Sequence, residues 1–270
     1  MVRRVVVLGL TLVLLLAIAS PAGAISYGVP DGTAHPNVGS IVVRVGEDLY
    51  QWCSGTLISP TVFLTASHCT APLDSFISAF PGAEVLVTFD PTITAGGNFY
   101  AGGVWHTNPN YYSAHGYDDP GDVAVIVFPY AIGGITPASL PAEGLLDQLK
   151  ADHSLDNTLF TAVGYGTVRN TNHTAWQAIL NNADRNRVDQ EALSLTNAWL
   201  TNSMNLATGN GGTCYGDSGG PHFVHLNGQE TDIVVSVTVT GDANCKATDK
   251  TYRVDTPAAR AFLGAFVTLP

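Results

Sequence analysis

Ser218 lies in the stretch Thr213-Cys214-Tyr215-Gly216-Asp217-Ser218-Gly219-Gly220-Pro221, with glycines close on both sides. Small neighbours let the backbone turn sharply and bring its amides close to a bound molecule. A serine presented in this way is a candidate nucleophile, and the amides of Gly216 and Ser218 are candidate donors to a developing oxyanion. The plainer reading is a Gly-rich surface turn that happens to contain serine. Residues elsewhere in the chain must decide, because a serine hydroxyl without a base is a weak nucleophile.

The same residues fit the G-x-S-x-G elbow of α/β-hydrolases, in which an acid and then a histidine follow the serine. Here His222 and His225 both precede Asp232, Asp242, Asp249 and Asp255, so the order is wrong. Upstream stand Thr65-Ala66-Ser67-His68-Cys69 and Gly121-Asp122-Val123-Ala124-Val125. His68 is the candidate base. Asp122 opens a β-branched run, where a carboxylate needs partners, and the second nitrogen of His68 would supply one. Asp118 and Asp119 are the fallback acids. They also read as a solvated turn, without the ligand spacing of a calcium site. Histidine, aspartate, serine is the chymotrypsin order. On these motifs the chain resembles the chymotrypsin/trypsin family of secreted serine endopeptidases. Cys53-Ser54-Gly55-Thr56-Leu57-Ile58-Ser59 is similar to the family's C-G-G-[ST]-L-I-[SN], with Ser54 in place of a glycine. Leu159 through Gly166 resembles the strand that ends G-W-G, with Tyr165 for the tryptophan.

The resemblance implies an all-β fold of two six-stranded antiparallel β-barrels packed together, about 25–135 and 136–270, with a C-terminal helix over 257–267. It implies peptide-bond hydrolysis by a His68, Asp122, Ser218 triad through an acyl-enzyme, without metal or cofactor. It implies disulfides Cys53 to Cys69 and Cys214 to Cys245; the count of four cysteines alone leaves three pairings open. It also implies that an amino terminus at Ile25 pairs with the carboxylate of Asp217. Gly212 stands where the trypsin branch carries its specificity aspartate, and Gly241 matches a pocket-wall glycine. Counting back from Tyr252 puts Lys250 at the other wall position. Pointing inward it would favour an acidic residue; pointing outward it leaves a neutral pocket, which is the reading adopted. Val239-Thr240-Gly241 replaces the family's Ser-Trp-Gly edge.

The chain has 270 residues, and residues 1–24 read as a signal peptide: Arg3 and Arg4, an apolar run, then Ala22-Gly23-Ala24. Removing it yields Ile25-Ser26-Tyr27-Gly28, the competing expectation being a leader over 25–37 clipped later. A net charge of −11 argues against nucleic acid and anionic membranes as partners. Only 12% of residues are charged, and 28 glycines and 15 prolines suit a turn-rich extracellular β protein. The expected protein is secreted and monomeric, acting on protein or peptide substrates and open to proteinaceous inhibitors. Its alternative is a secreted, catalytically inactive homologue that binds a partner. Asn172-His173-Thr174 is a glycosylation sequon.

Overall fold

The computed structural model describes residues 25–112, 118–169 and 179–270, so the leader and the Asn172 sequon lie outside the described residues. Strand β1 (Val29–Pro30) precedes the first sheet. That sheet is built from β2 (Val38–Val45), β3 (Asp48–Ser59), β4 (Val62–Thr65), β5 (Glu84–Thr88), β6 (Val104–Thr107) and β7 (Ala124–Val127). Its order is β5-β2-β3-β4-β7-β6, antiparallel throughout and curled into a half-barrel. Apolar β-branched runs such as Val38-Gly39-Ser40-Ile41-Val42-Val43 are buried along their length, as strands covered on both faces must be.

The second sheet contains β8 (Leu159–Gly164), β11 (Asn186–Leu195), β12 (Trp199–Ser203), β13 (Pro221–Leu226), β14 (Gln229–Gly241) and β15 (Thr248–Arg253). A pairing of β11 with β8 closes these six strands into a barrel, and β1 adds to the edge of β11. A two-residue hairpin, β9 (Val168–Arg169) with β10 (Ile179–Leu180), stands beside it. Among the described residues there are four short α-helices: α1 (Ser67–Thr70), α2 (Leu73–Ala79), α3 (Leu145–Ala151) and α4 (Pro257–Leu263). The last begins with Thr256 accepting a hydrogen bond from the Ala259 amide and proline in its first turn, both favourable start signals.

The largest apolar cluster joins the two sheets. Val38, Leu64 and Val125 from the first pack with Val163, Phe223, Val237 and Tyr252 from the second and Leu263 of α4. The 214–220 loop crosses this seam, bonded to Ser54 of the first sheet and Thr238 of the second. A polar clasp reinforces it. The buried Arg185 guanidinium donates to Asp31 at 2.8 Å, Gly32 O at 2.7 Å, Val38 O at 2.9 Å, Phe89 O at 3.0 Å and Tyr165 Oη at 3.2 Å. It thereby binds the amino-terminal segment to both sheets. His35, stacked on Phe223, bridges Asp31 and Glu230 at 2.5 Å on each side. Residues 25–37 are thus packed as part of the folded body.

Candidate active site

Strand β4 ends at Thr65 and α1 starts two residues later, so His68 rises from a short helix anchored by a buried strand. Cys69 is bonded to Cys53 of β3, and Trp52 Nε1 donates to the Cys69 carbonyl at 2.8 Å. Asp122 stands just ahead of β7, 3% exposed, and its two oxygens take the His68 amide and ring Nδ1, each at 2.9 Å. That two-point contact fixes ring orientation and puts the proton on Nδ1, leaving Nε2 basic. Ser67 supports it: its hydroxyl donates to Val123 O at 2.8 Å, beside Asp122. Asp118 and Asp119 are not on the histidine; Asp119 accepts from Tyr252 Oη at 2.8 Å.

The loop bearing Ser218 packs against the same strand end. Its carbonyl accepts from the Ser54 amide at 2.8 Å and lies 3.7 Å from Cys69 Sγ. Gly219 has φ 79°, and a Cβ there would collide with Thr65 Oγ1 and come within 2.8 Å of the Ala66 amide. Glycine at 219 therefore sets how closely serine approaches the residues flanking His68. No hydrogen bond joins Ser218 Oγ to His68 Nε2 among the described residues; such bonds commonly tighten only when substrate binds. Gly216 has φ 95°. Among the described residues the amides of Gly216 and Ser218 donate no hydrogen bond to the protein, as an oxyanion site requires.

Asp217, fully buried, accepts from the amides of Gly166 and Cys214 at 2.8 Å each. Burial pushes its carboxyl up to about 7; the two amides oppose that shift and the nearby Asp249 adds to it. Ile25 is fully buried, and the next residue, Ser26, exchanges both backbone hydrogen bonds with Gly212. With residues 1–24 attached, residue 25 carries a peptide nitrogen and not an ammonium.

Beside Ser218 opens a cavity of about 310 Å³, lined by Thr213, Tyr215, Val239, Thr240, Gly241 and the Cys214–Cys245 disulfide. Asp242 lines it too, but its carboxylate accepts from the amides of Lys246, Ala247 and Thr248. Burial alone would raise that carboxyl; those amides outweigh it and hold it below its ordinary value. Lys250 is outside this cavity. Its ammonium lies 4.1 Å from the centre of the Trp199 ring, on a separate recess with Asp118 and Thr201. In the pairing of β14 with β15, Asp249 stands opposite Gly241 and Lys250 opposite Thr240. Alternation along β15 then turns the two side chains to opposite faces. Gly212 lies behind the wall, where a Cβ would strike Gln190 and Met204.

Sequence reasoning missed the network there. His222 Nε2 lies 2.9 Å from Gln190 Oε1 and 3.0 Å from Asp249 Oδ2, all three buried. These residues are 32 and 27 positions apart, and no local pattern announces them. Gln51 was also missed; its Nε2 donates to Gly216 O at 2.8 Å.

Residues 29–263 match the trypsin family. The chain belongs to the trypsin family. No curated protein matches it closely. Among solved structures, that of HL collagenase at 1.7 Å resolution superposes with a TM-score of 0.63 over 92% of this chain and 99% of that one, at 17% identity. At that identity the likeness establishes the fold alone: a closed six-stranded barrel beside a half-barrel, with a short C-terminal helix. Trypsin-family membership makes this a serine-protease fold stapled by two disulfides. Among the described residues no helix is long and apolar enough to cross a membrane.

Proposed function

We propose that this protein is a secreted serine endopeptidase using His68, Asp122 and Ser218. The observation that supports it most is the double hydrogen bond from His68 to Asp122 over a serine loop docked on the same strand end. His68 Nε2 takes the Ser218 proton as the oxygen attacks a peptide carbonyl, and the imidazolium is held against Asp122. The amides of Gly216 and Ser218 receive the oxyanion. The proton then passes to the leaving amine as the peptide C–N bond breaks. Water, deprotonated by His68, hydrolyses the ester.

The cavity beside Ser218 offers no open carboxylate: Asp242 is bound by amides, and Asp249 is fully buried and not among the lining residues, its Oδ2 beside His222 and its Oδ1 without a partner. The preferred residue is therefore neutral, apolar or small. Disulfides fit an oxidising compartment. Cleavage after Ala24 frees Ile25, whose ammonium supplies the cation that the buried Asp217 lacks. Amino-terminal sequencing of exported protein should read Ile-Ser-Tyr-Gly; a start at Val38 or Ile41 would refute this step.

Peptide-library hydrolysis tests both activity and preference. Folded Ser218→Ala should lose turnover by orders of magnitude, while the parent cleaves after neutral residues. Turnover retained in Ser218→Ala would overturn the assignment. A folded, disulfide-bonded parent that cleaves nothing would favour the inactive, partner-binding homologue.

A further inference from the structure

The carbonyl of Gly216 is held from the first sheet, across the seam between the two halves. Gln51 Nε2 donates to it at 2.8 Å and Ser54 Oγ at 3.0 Å. Ser54 is fully buried and held on three further sides. Its hydroxyl accepts from the Tyr165 amide at 3.0 Å, its amide donates to Ser218 O at 2.8 Å, and its carbonyl accepts from Thr65 Oγ1 at 2.9 Å. A Cβ on Gly216 would strike Gln51 Oε1, so glycine is needed for this side chain to reach the carbonyl. Both donors come from β3, which also carries Cys53 of the disulfide beside His68.

An amide plane moves as one unit. Fixing the carbonyl between Gly216 and Asp217 restricts ψ of Gly216 and φ of Asp217. Those are torsions between the two amides that would receive the oxyanion. Preorganised donors owe their effect to being held in place before charge develops. The hold exists with residue 25 still in peptide linkage, so it does not need a terminal ammonium. We propose that Gln51 and Ser54 are positioning residues for the oxyanion site, keeping the 215–218 loop in its donating conformation whether or not Ile25 has been freed. This rests on the peptidase reading above.

The test uses Gln51→Glu, which keeps size and replaces a donor with an acceptor facing a carbonyl, together with Gln51→Ala and Ser54→Ala. Each variant is assayed for peptide hydrolysis, for inhibition by a peptide aldehyde, whose hemiacetal places an oxyanion against the two amides, and by the matching peptide amide, which forms no such adduct. A fall in kcat of tenfold or more is expected for Gln51→Glu, with KM within about threefold. Aldehyde affinity should fall in parallel and amide affinity should stay unchanged. Gln51→Ala should fall less than Gln51→Glu. A role in stability alone would weaken both inhibitors together or neither.

Hydrogen exchange of the peptide spanning 213–221 is measured in the same variants in a Ser218→Ala background, which needs no turnover. Faster exchange there, with unchanged rates elsewhere, is expected. Should Ser54→Ala fail to fold, the part-exposed Gln51 variants decide. Unchanged kcat with unchanged exchange would overturn the proposal. An inactive parent would refute the peptidase reading, while exchange would still show whether Gln51 and Ser54 order the loop.

Discussion

Asp122 receives both the main-chain and the ring N–H of His68, so its effect on the imidazole is directional as well as electrostatic. Asp122→Asn keeps the shape but can present an amide hydrogen to Nδ1, which reverses the tautomer. The expected fall in kcat is roughly 10³–10⁴, the scale tautomer loss carries in such triads, with little change in melting temperature. Steady-state kinetics beside thermal melts would check this; a variant within tenfold of the parent would contradict it. His68, Asp122 and Ser218 were legible because each sits in a short local pattern whose neighbours have steric reasons to be small or apolar. Lys250 was not legible, because which face of β15 looks toward the cavity depends on its pairing with β12 and β14, which counting residues does not reveal. Gln51 looked like an ordinary strand residue; only the folded chain brings it to Gly216, 165 positions away.

At the scale of elements, the site depends on how closely the serine loop lies on the end of β4. Gly219→Ala would force a Cβ between Thr65 Oγ1 and Ser54 O at positive φ. Either the loop retreats or the strand end shifts, and either displaces Ser218 from His68. Near-complete loss of turnover is expected, with a destabilisation of about 1–3 kcal/mol; activity within threefold of the parent would contradict the packing. Most of the first sheet was readable, since its strands are rich in β-branched and aromatic residues and are bounded by turn residues. Strands β11 and β12 were not. The burial of β11 alternates irregularly, with Glu191, Leu193 and Ser194 exposed in its second half, so neither period stands out. Its role in closing the barrel comes from pairing with β8, a long-range contact.

Across the whole molecule, long-range polar contacts hold the amino-terminal segment in place, and nothing in the local sequence hinted at them. Burial alone would lower the His35 pKa, but its bonds to Asp31 and Glu230 outweigh that and push it up to about 9 from an ordinary 6.5. A folded-state value above the unfolded one means stabilisation that is full below pH 6.5 and lost as pH rises through about 9. The melting temperature should decline over that window. His35→Phe, which keeps a ring to stack on Phe223, should flatten the decline and cost on the order of 3 kcal/mol at pH 6. A variant with the parent's pH profile would contradict this.

Asp217 acts in the same direction over a lower pH range. Its folded value near 7 exceeds the ordinary 3.8, so the uncut chain loses stability as pH rises between those values. A chain beginning at Ile25, with an ammonium to pair, should lack that decline; equal pH dependence of melting in the two chains would count against the pairing.

The reaction requires one activated serine in the folded, disulfide-bonded protein. Treatment with a fluorophosphonate, followed by peptide mapping, should find a single adduct on Ser218. The adduct should be absent from His68→Ala and from unfolded protein. Labelling at another residue, or labelling of Ser218 that is indifferent to His68, would contradict the triad.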